Sequence, residues 1–259
     1  MATIDISNVS KIFTDKKRNA DVTALADINL SIARNEFVCL LGPSGCGKST
    51  LLNMIAGFEQ PSAGHVTVDG EIVTAPGADR GVVFQHANLM PWLPVWENVA
   101  FHLLLGGGQK AERRARAQVY IDMVGLTGFE NHYPSELSGG MNQRVGIARA
   151  LLMNPQVILM DEPFGALDEQ TRMDMQNELV RIWQQHQGTI VFVTHGIDEA
   201  LTLGTQIAVM SARPGRIVEI IPIDLPRPRD ITSPQFNALK RHILALLRGE
   251  RVEQERAPA

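Results

Sequence analysis

Apolar and polar residues follow two kinds of pattern along this chain. Short segments that alternate in polarity predict half-buried β-strands, and short segments that are apolar at every position predict strands buried on both faces. Residues 37–41, with the sequence FVCLL, are a clear example of the second kind. The predicted strands span residues 3–7, 26–32, 37–41, 66–68, 81–84, 157–160, 189–194, 207–210 and 217–221.

Apolar residues at helical spacing predict helices between several of these strands. Residues 95–152 have this texture, and the stretch 111–124 carries three arginines among apolar residues, which is typical of a solvated amphipathic helix. The other predicted helices span residues 51–56, 169–187 and 235–248. Prolines at positions 222, 226, 228 and 234 predict an irregular linker over residues 222–234.

Strands that alternate with helices predict an α/β fold with a mainly parallel sheet. The long helical block interrupts the alternation and therefore predicts an inserted helical subdomain. We expect residues 1–87 and 156–225 to form one core, residues 88–155 to form the helical subdomain, and residues 226–259 to form a C-terminal linker and helix.

Composition narrows the class of protein. Of the 259 residues, 44% are apolar and 20% are charged, which excludes a wholly disordered chain and a coiled-coil rod. A formal net charge of −4 argues against a general nucleic-acid binder. The chain has two cysteines, no secretory signal pattern at its N-terminus and no run of 18 apolar residues. These features favour a reducing compartment, and we expect a cytosolic protein.

The segment GPSGCGKST, which directly follows the buried strand 37–41, matches the phosphate-binding loop pattern G-x4-G-K-[ST]. Glycines let successive backbone N–H groups point inward at phosphate oxygens, and the following helix adds its positive end. Lys48 can reach the β- and γ-phosphates, and the Ser49 hydroxyl can ligate Mg²⁺. The alternative is a glycine-rich turn before a helix. The predicted nucleotide-binding residues are Gly42, Pro43, Ser44, Gly45, Cys46, Gly47, Lys48, Ser49 and Thr50.

The second motif is acidic: Asp161 and Glu162 directly follow the predicted hydrophobic strand VILM. This is the Walker B pattern, in which Asp161 would hold Mg²⁺ through its water shell and Glu162 would orient and deprotonate the attacking water. On its own, such a pair at a strand end is more often a loop start or a helix cap. Its occurrence together with the phosphate loop favours the catalytic interpretation.

The segment LSGGM is the third motif. Ser138 is a good N-cap, and apolar residues follow at helical spacing, so the plain interpretation is a capped helix after a glycine turn. The sharper interpretation is a second anion site at an exposed helix N-terminus, formed by Ser138, Gly139 and Gly140. Two half-sites for one triphosphate in one chain indicate a head-to-tail pair of chains.

Taken together, GPSGCGKST, LSGGM, VILMDEP and a later histidine resemble the ATP-binding cassette (ABC) ATPase family. The resemblance implies a RecA-like phosphate-loop NTPase core with a mainly parallel sheet, an antiparallel β edge and an inserted helical subdomain. It also implies ATP and Mg²⁺ as ligands, with Ser49, Gln85 and Asp161 at the metal.

The family pattern suggests roles for three further residues. Gln85 matches the glutamine that senses Mg²⁺ and the γ-phosphate at the hinge to the helical subdomain, and His195 matches the switch histidine that contacts the γ-phosphate. Phe13 lies where the family usually stacks an aromatic ring on adenine. The alternatives are an ordinary polar residue at a strand end for Gln85, a structural or solvated histidine for His195, and a core residue of an edge strand for Phe13. The sequence departs from the family pattern at Met141 and Gly196, without loss of a phosphate contact.

The resemblance implies an ATP-hydrolysing importer subunit that works as a homodimer on the cytoplasmic face of the membrane, with transmembrane permease subunits and, indirectly, a solute-binding protein. Segment 86–101, rich in Met, Trp and Phe, is the expected permease-facing surface. The alternative is that its aromatic rings fill the core of the helical subdomain. The segments EPFGALD, RPGRIV and LPRPRD resemble the nitrate/sulfonate/taurine importer subfamily. The solute itself does not contact this subunit.

Three alternatives belong to other functional classes. A soluble ABC ATPase of DNA repair or translation would carry a long coiled-coil insertion, tandem cassettes or a basic surface, and this sequence has none of these. A nucleotide-gated interaction module without turnover would lack Glu162. A small-molecule phosphotransferase that uses the same loop would lack the LSGG segment.

Overall fold

The structure, a computed structural model, describes residues 2–15, 20–107, 109–186 and 188–249. Its strands are β1 (Ile4–Asp15), β2 (Ala20–Ile32), β3 (Phe37–Leu41), β4 (Ala63–Val68), β5 (Glu71–Ile72), β6 (Arg80–Val83), β7 (Val157–Asp161), β8 (Thr189–Thr194), β9 (Gln206–Met210) and β10 (Ile217–Pro222). Its helices are α1 (Lys48–Ala56), α2 (Val95–Val99), α3 (Phe101–Leu105), α4 (Lys110–Met123), α5 (Gly139–Leu152), α6 (Glu169–His186), α7 (Ile197–Leu203) and α8 (Pro234–Arg248), with a 3-10 turn at Pro134–Glu136.

The chain forms two compact units, and one of them comprises the described residues within 3–74 together with residues 193–249. Here β1 and β2 form a long antiparallel hairpin, and the sheet order is β2-β1-β4-β5. A second group of strands has β9 between β3, which is parallel to it, and β10, which is antiparallel. All five residues of β3 are buried, as an apolar strand covered on both faces requires.

The other unit comprises residues 1–2 and 75–192. Its strands β6 and β7 are parallel, with Val82 opposite Leu159, and β8 is the next strand beyond β7. The helices α2, α4 and α5 pack on one another through apolar faces. The buried side chains of these faces include Val95, Val99, Ala117, Ile121, Val145 and Ala148.

The predicted α/β class is confirmed, and two strands, Phe37–Leu41 and Thr189–Thr194, match the prediction to the residue. The prolines of the predicted linker need a correction. Pro222 is the last residue of β10 and Pro234 is the first residue of α8, so the irregular segment runs only between them. Both positions tolerate proline because an edge-strand end and a helix's first turn do not require that N–H.

Other boundaries also differ from the sequence prediction. The hairpin β1–β2 is longer than predicted. Its distal half is exposed and lacks clear hydrophobic alternation, so the pattern of apolar residues did not predict it. The block 95–152 is broken into separate helices, with Gly107 and Gly125 at positive φ beyond the ends of α3 and α4. The short elements β5 and α7 were not predicted. Gln187, the last residue of the predicted helix 169–187, lies outside the described residues. The predicted domain boundaries stay a prediction.

Candidate functional site

The glycine-rich segment links β3 to α1. The backbone is in the left-handed region at Gly45 (φ 75°) and at Gly47 (φ 101°), where glycine carries no steric cost. A side chain at Gly42 would clash, since its Cβ would lie 2.9 Å from both Cys46 Sγ and the carbonyl oxygen of Met210. Gly47 is also the N-cap of α1 and has no side chain that could occupy the N–H groups of the first turn. The loop is therefore compact, and its glycines give the backbone the freedom that a cradle of amides around phosphate requires.

Lys48 supplies a cation within this cradle. The residue is only 5% exposed, although lysine is almost never fully buried without a polar contact. Its Nζ donates to the carbonyl oxygens of Gly42 at 2.7 Å and Pro43 at 3.1 Å, and lies 4.0 Å from Cys46 Sγ. Backbone carbonyls are weaker partners for an ammonium than phosphate oxygens are. The residues present therefore fit a polyphosphate group.

A neighbouring loop supports the cradle, a role that was not predicted from the sequence. Because β9 is parallel to β3, the chain that leaves β9 at residue 211 runs beside the phosphate loop. Arg213 Nε donates to the carbonyl oxygen of Gly45 at 2.9 Å. A Cβ on Gly215 would lie 2.0 Å from the carbonyl oxygen of Cys46, so this close approach requires glycine.

We expect Gly215→Ala to lower the free energy of unfolding by about 1–3 kcal/mol, the usual cost of overpacking, and to weaken ATP binding because the cradle must shift. Thermal unfolding with and without ATP measures both effects. Gly106→Ala is the matched control, since a Cβ there would have no neighbour closer than 3.7 Å and φ is −79°. Equal unfolding temperatures for the two variants would contradict the packing argument.

Two further predicted site residues belong to the same unit as the phosphate loop. His195 directly follows β8 and is exposed. Phe13 lies on β1 with 41% of its surface exposed, which excludes the alternative that it is a core residue. Lys11 Nζ lies 5.0 Å from the centroid of the Phe13 ring. The ring is available at the surface for stacking.

The acidic pair belongs to the other unit. Asp161 is the last residue of β7, and Glu162 follows with φ 43°. A left-handed conformation is uncommon for a residue with a side chain and is often found at functional sites. The carbonyl oxygen of Glu162 accepts from the N–H of Gly165 at 3.2 Å, which closes a tight turn directly after the strand. The turn therefore fixes the backbone position from which the Glu162 side chain extends.

Ser138 is the N-cap of α5, and its Oγ accepts from the N–H of Met141 at 3.2 Å. The plain interpretation of the LSGGM segment, a capped helix, is therefore confirmed. Helix capping does not explain why residue 139 is a glycine, because a Cβ there would meet no atom within 4 Å. A Cβ at Gly140 would lie 3.0 Å from a methyl group of Leu167. Ser138 and Gly139 are exposed, so this helix end is accessible.

Gln85 is exposed, two residues beyond the end of β6. Its segment is tied to α5 by two side chains that sequence reasoning missed. Gln143, which is 2% exposed, donates from Nε2 to the carbonyl oxygen of Phe84 at 2.8 Å. The guanidinium of Arg149 donates to the carbonyl oxygens of Ala87 and Asn88 at 2.8 and 3.0 Å. The helix that Ser138 caps therefore holds the segment that carries Gln85.

The two tryptophans of segment 86–101 differ in exposure. Trp96 is 4% exposed, with Lys110 Nζ and the Arg114 guanidinium 5.5 and 5.6 Å from its ring centroid, so it belongs to the packing of the helices. Trp92 is 69% exposed. Only the second ring is available for a partner.

Asp168 caps α6. Its carboxylate accepts from the backbone N–H of Thr171 at 3.0 Å and from the Thr171 hydroxyl at 2.6 Å. These hydrogen bonds hold the pKa of the Asp168 carboxyl below its usual value. Arg172 donates to the carbonyl oxygens of Phe164 and Leu167, which fixes the preceding loop.

In sum, one unit carries the phosphate loop, Phe13 and His195, and the other carries Gln85, Ser138, Gly139, Gly140, Asp161 and Glu162. Within residues 2–15, 20–107, 109–186 and 188–249, no group of three or more His, Cys, Asp or Glu side chains could hold a metal ion. The predicted Mg²⁺ ligands instead include a hydroxyl and an amide. The same part of the chain contains no helix long and apolar enough to span a membrane.

Comparison with known proteins now decides the family. The family model described as ABC transporter matches residues 25–165, a span that includes the phosphate loop, the LSGGM segment and the acidic pair. The chain belongs to the ABC transporter family.

Two relatives illustrate the group within the family. The nitrate import ATP-binding protein NrtD of Synechocystis is 46% identical over 265 residues, covering 99% of both chains. The taurine import ATP-binding protein TauB of Rhizobium johnstonii is 50% identical over 246 residues, covering 92% of this chain and 94% of the relative. The predicted resemblance to the nitrate/sulfonate/taurine subfamily is confirmed.

A solved structure of a dimeric ATP-binding cassette, in a post-hydrolysis state with ADP and Pi, superposes with a TM-score of 0.77. It is 36% identical and covers 85% of this chain and 98% of that chain. The chain is therefore an ATP-binding ABC ATPase with a phosphate-loop NTPase fold.

Proposed function

We propose that this ABC ATPase is the ATP-hydrolysing subunit of an importer for a small anion of the nitrate, sulfonate or taurine type. The relatedness to nitrate and taurine import proteins along nearly the whole chain carries this proposal. The protein would act from the cytoplasmic face of the membrane, bound to transmembrane permease subunits and indirectly to a solute-binding protein. The soluble, non-transport ABC ATPase is the competing function.

The predicted site residues would have separate roles in ATP binding and ATP hydrolysis. The backbone amides of residues 42–50 and the ammonium of Lys48 would hold the phosphates of ATP, and Phe13 would stack on adenine. Glu162 would accept a proton from the attacking water, and His195 would contact the γ-phosphate. These assignments are supported by the glycine conformations, the buried ammonium and the left-handed Glu162 described above.

Mg²⁺ would be held by the hydroxyl of Ser49, by the amide oxygen of Gln85 and, through its water shell, by the carboxylate of Asp161. These are the oxygen ligands that Mg²⁺ prefers, and the ion usually completes its shell with water and phosphate oxygens. When bound, Mg²⁺ neutralises charge on the transferred phosphoryl group.

We infer that the working form is a head-to-tail homodimer, in which Ser138, Gly139 and Gly140 of one copy bind the γ-phosphate held by the other. The support is the unexplained glycine at position 139 at an accessible helix N-terminus. The related cassette structure is dimeric. ATP binding would close this dimer, and hydrolysis would reopen it.

The exposed Trp92, within segment 86–101, is the proposed permease contact, since an exposed large aromatic side chain on the segment that follows Gln85 suits an apolar partner helix. The importer proposal is tested with the complex that co-purifies from membranes. We expect the binding protein loaded with one of nitrate, taurine or an alkanesulfonate to stimulate ATP hydrolysis in proteoliposomes. The complex that carries Glu162→Gln provides the background. Measurable basal hydrolysis with no stimulation by any of these solutes would contradict the proposal.

A further inference from the structure

Two arginines of the LPRPRD segment point at the end of α7. The guanidinium of Arg227 donates from Nη1 at 2.8 Å and from Nη2 to two successive carbonyl oxygens, and Arg229 Nη1 donates at 2.5 and 2.6 Å to two more. Arg229 Nη2 also reaches the carbonyl oxygen of Ile223 at 3.2 Å, which closes the segment on itself. The four helix-end carbonyls belong to Leu201, Thr202, Leu203 and Gly204.

These contacts satisfy the carbonyl groups that a helix leaves unpaired at its C-terminus, and they place positive charge at the negative end of the helix dipole. A helix of seven residues is too short to be stable by itself, so α7 depends on such contacts. A planar guanidinium suits the task because it can donate to two carbonyls at once. The two arginines form a clamp on α7.

The clamp is partly buried. Burial and the neighbouring charge of Arg227 lower the pKa of Arg229 to about 10, which leaves it protonated at neutral pH. On the inner side, Cys39 Sγ of β3 donates to the carbonyl oxygen of Ala200 at 3.7 Å. On the outer side, Lys240 Nζ of α8 lies 2.7 Å from the carboxylate of Asp198 in the first turn of α7. The helix is therefore fixed along its length.

The other end of α7 is hydrogen-bonded to the residues on both sides of His195. The hydroxyl of Thr194 donates to the carboxylate of Glu199, at 2.5 Å, and accepts from the N–H of Gly196 at 2.9 Å. Glu199 lies in the first turn of α7. A displacement of the helix would pass through Glu199 to Thr194 and Gly196, and hence to the histidine between them.

From this chain of contacts we infer that Arg227 and Arg229 are positioning residues for His195, acting through α7. The inference rests on the proposed role of His195 at the γ-phosphate. The inference assigns a function to the LPRPRD segment, which lies outside the nucleotide-binding motifs. The hydrogen bonds of the clamp described above go to the end of α7 and to Ile223, so the clamp should affect the hydrolytic step and leave nucleotide affinity unchanged.

The test is a double-mutant cycle on ATP turnover with Arg229→Ala and His195→Ala. We expect Arg229→Ala to lower kcat about tenfold while the Kd for ATP changes less than twofold, and to cause no further loss in the His195→Ala background. Arg229→Lys should recover part of the loss, since an ammonium keeps the charge without the fork. Arg241→Ala, an exposed arginine of α8, is the control for the lost charge. If Arg229→Ala does not fold, Arg227→Ala replaces it.

A second measurement follows the histidine directly. The imidazole NMR signals of His195, assigned by their loss in His195→Ala, should shift in Arg229→Ala and not in Arg241→Ala. The inference would be overturned if Arg229→Ala lowered kcat by the same factor with and without His195, or if the imidazole signal did not shift. Full turnover in His195→Ala by itself would instead refute the proposed role of His195, so the two failures are distinguishable.

Discussion

Glu162→Gln will keep ATP binding and lower ATP hydrolysis by roughly 10²–10⁴-fold, the usual share of a general base. The amide has the shape of the carboxylate, so the turn that holds residue 162 at φ 43° is kept, but an amide does not accept a proton from water at neutral pH. Because ATP is bound and not consumed, the closed dimer should accumulate.

Three measurements check this expectation: phosphate release, equilibrium binding of ATP, and the oligomeric state with ATP and Mg²⁺ in size-exclusion chromatography. Glu112→Gln is the control, since this exposed glutamate in the first turn of α4 lies outside the predicted site. Phosphate release by Glu162→Gln at the rate of the unmodified protein would remove Glu162 from its role. A monomer in the presence of bound ATP would count against the head-to-tail dimer.

The parts of the site that sequence could predict are the ones built from neighbouring residues. The phosphate loop is a strand, a glycine turn and a helix in direct succession, so its pattern is local, and the structure places each part as expected. The same is true of Ser138, whose capping bond reaches only three residues along the chain. Local hydrogen bonds leave a readable spacing in the sequence.

The supports of the site could not be predicted because they join distant parts of the chain. Arg213 and Gly45 are 168 residues apart, and Gln143 and Phe84 are 59 residues apart. A single arginine or glutamine gives no sign of which carbonyl it will meet. Gly215 did carry a signal, since a glycine between Pro214 and Arg216 near a strand indicates a close approach, but the approached atom lies on another strand's loop.

The helical block shows a different limit. Hydrophobic spacing predicted helix over residues 95–152, but α2 and α3 contain only five residues each. Such short helices are stable through tertiary packing, here of buried residues such as Val95 and Val99. Hydrophobic periodicity reports that a segment is helical and buried on one face, but it does not show where the axis changes direction.

Lys48→Ala should weaken ATP binding about 10- to 100-fold, because the variant loses a charge-assisted contact with phosphate that is typically worth about 1.5–3 kcal/mol. The buried position of the ammonium strengthens the expectation, since the side chain already lies inside the cradle and pays little to reach the ligand. Calorimetric titration with ATP and ADP measures the loss directly. The unfolding temperature should also rise much less on addition of ATP than it does in the unmodified protein.

Lys110→Ala is the matched control, because Lys110 is likewise the first residue of a helix, α4, but is exposed. Its removal subtracts the same charge from the protein and should leave nucleotide affinity unchanged.

The Lys48 variant also tests whether the two proposed phosphate sites bind ATP independently of each other. If the LSGGM helix end binds ATP only when the phosphate loop of the other copy already holds it, the variant will form no ATP-dependent dimer. Unaltered affinity in Lys48→Ala would contradict the assignment of the phosphate loop, and a dimer with unaltered ATP dependence would show that the second site binds nucleotide independently.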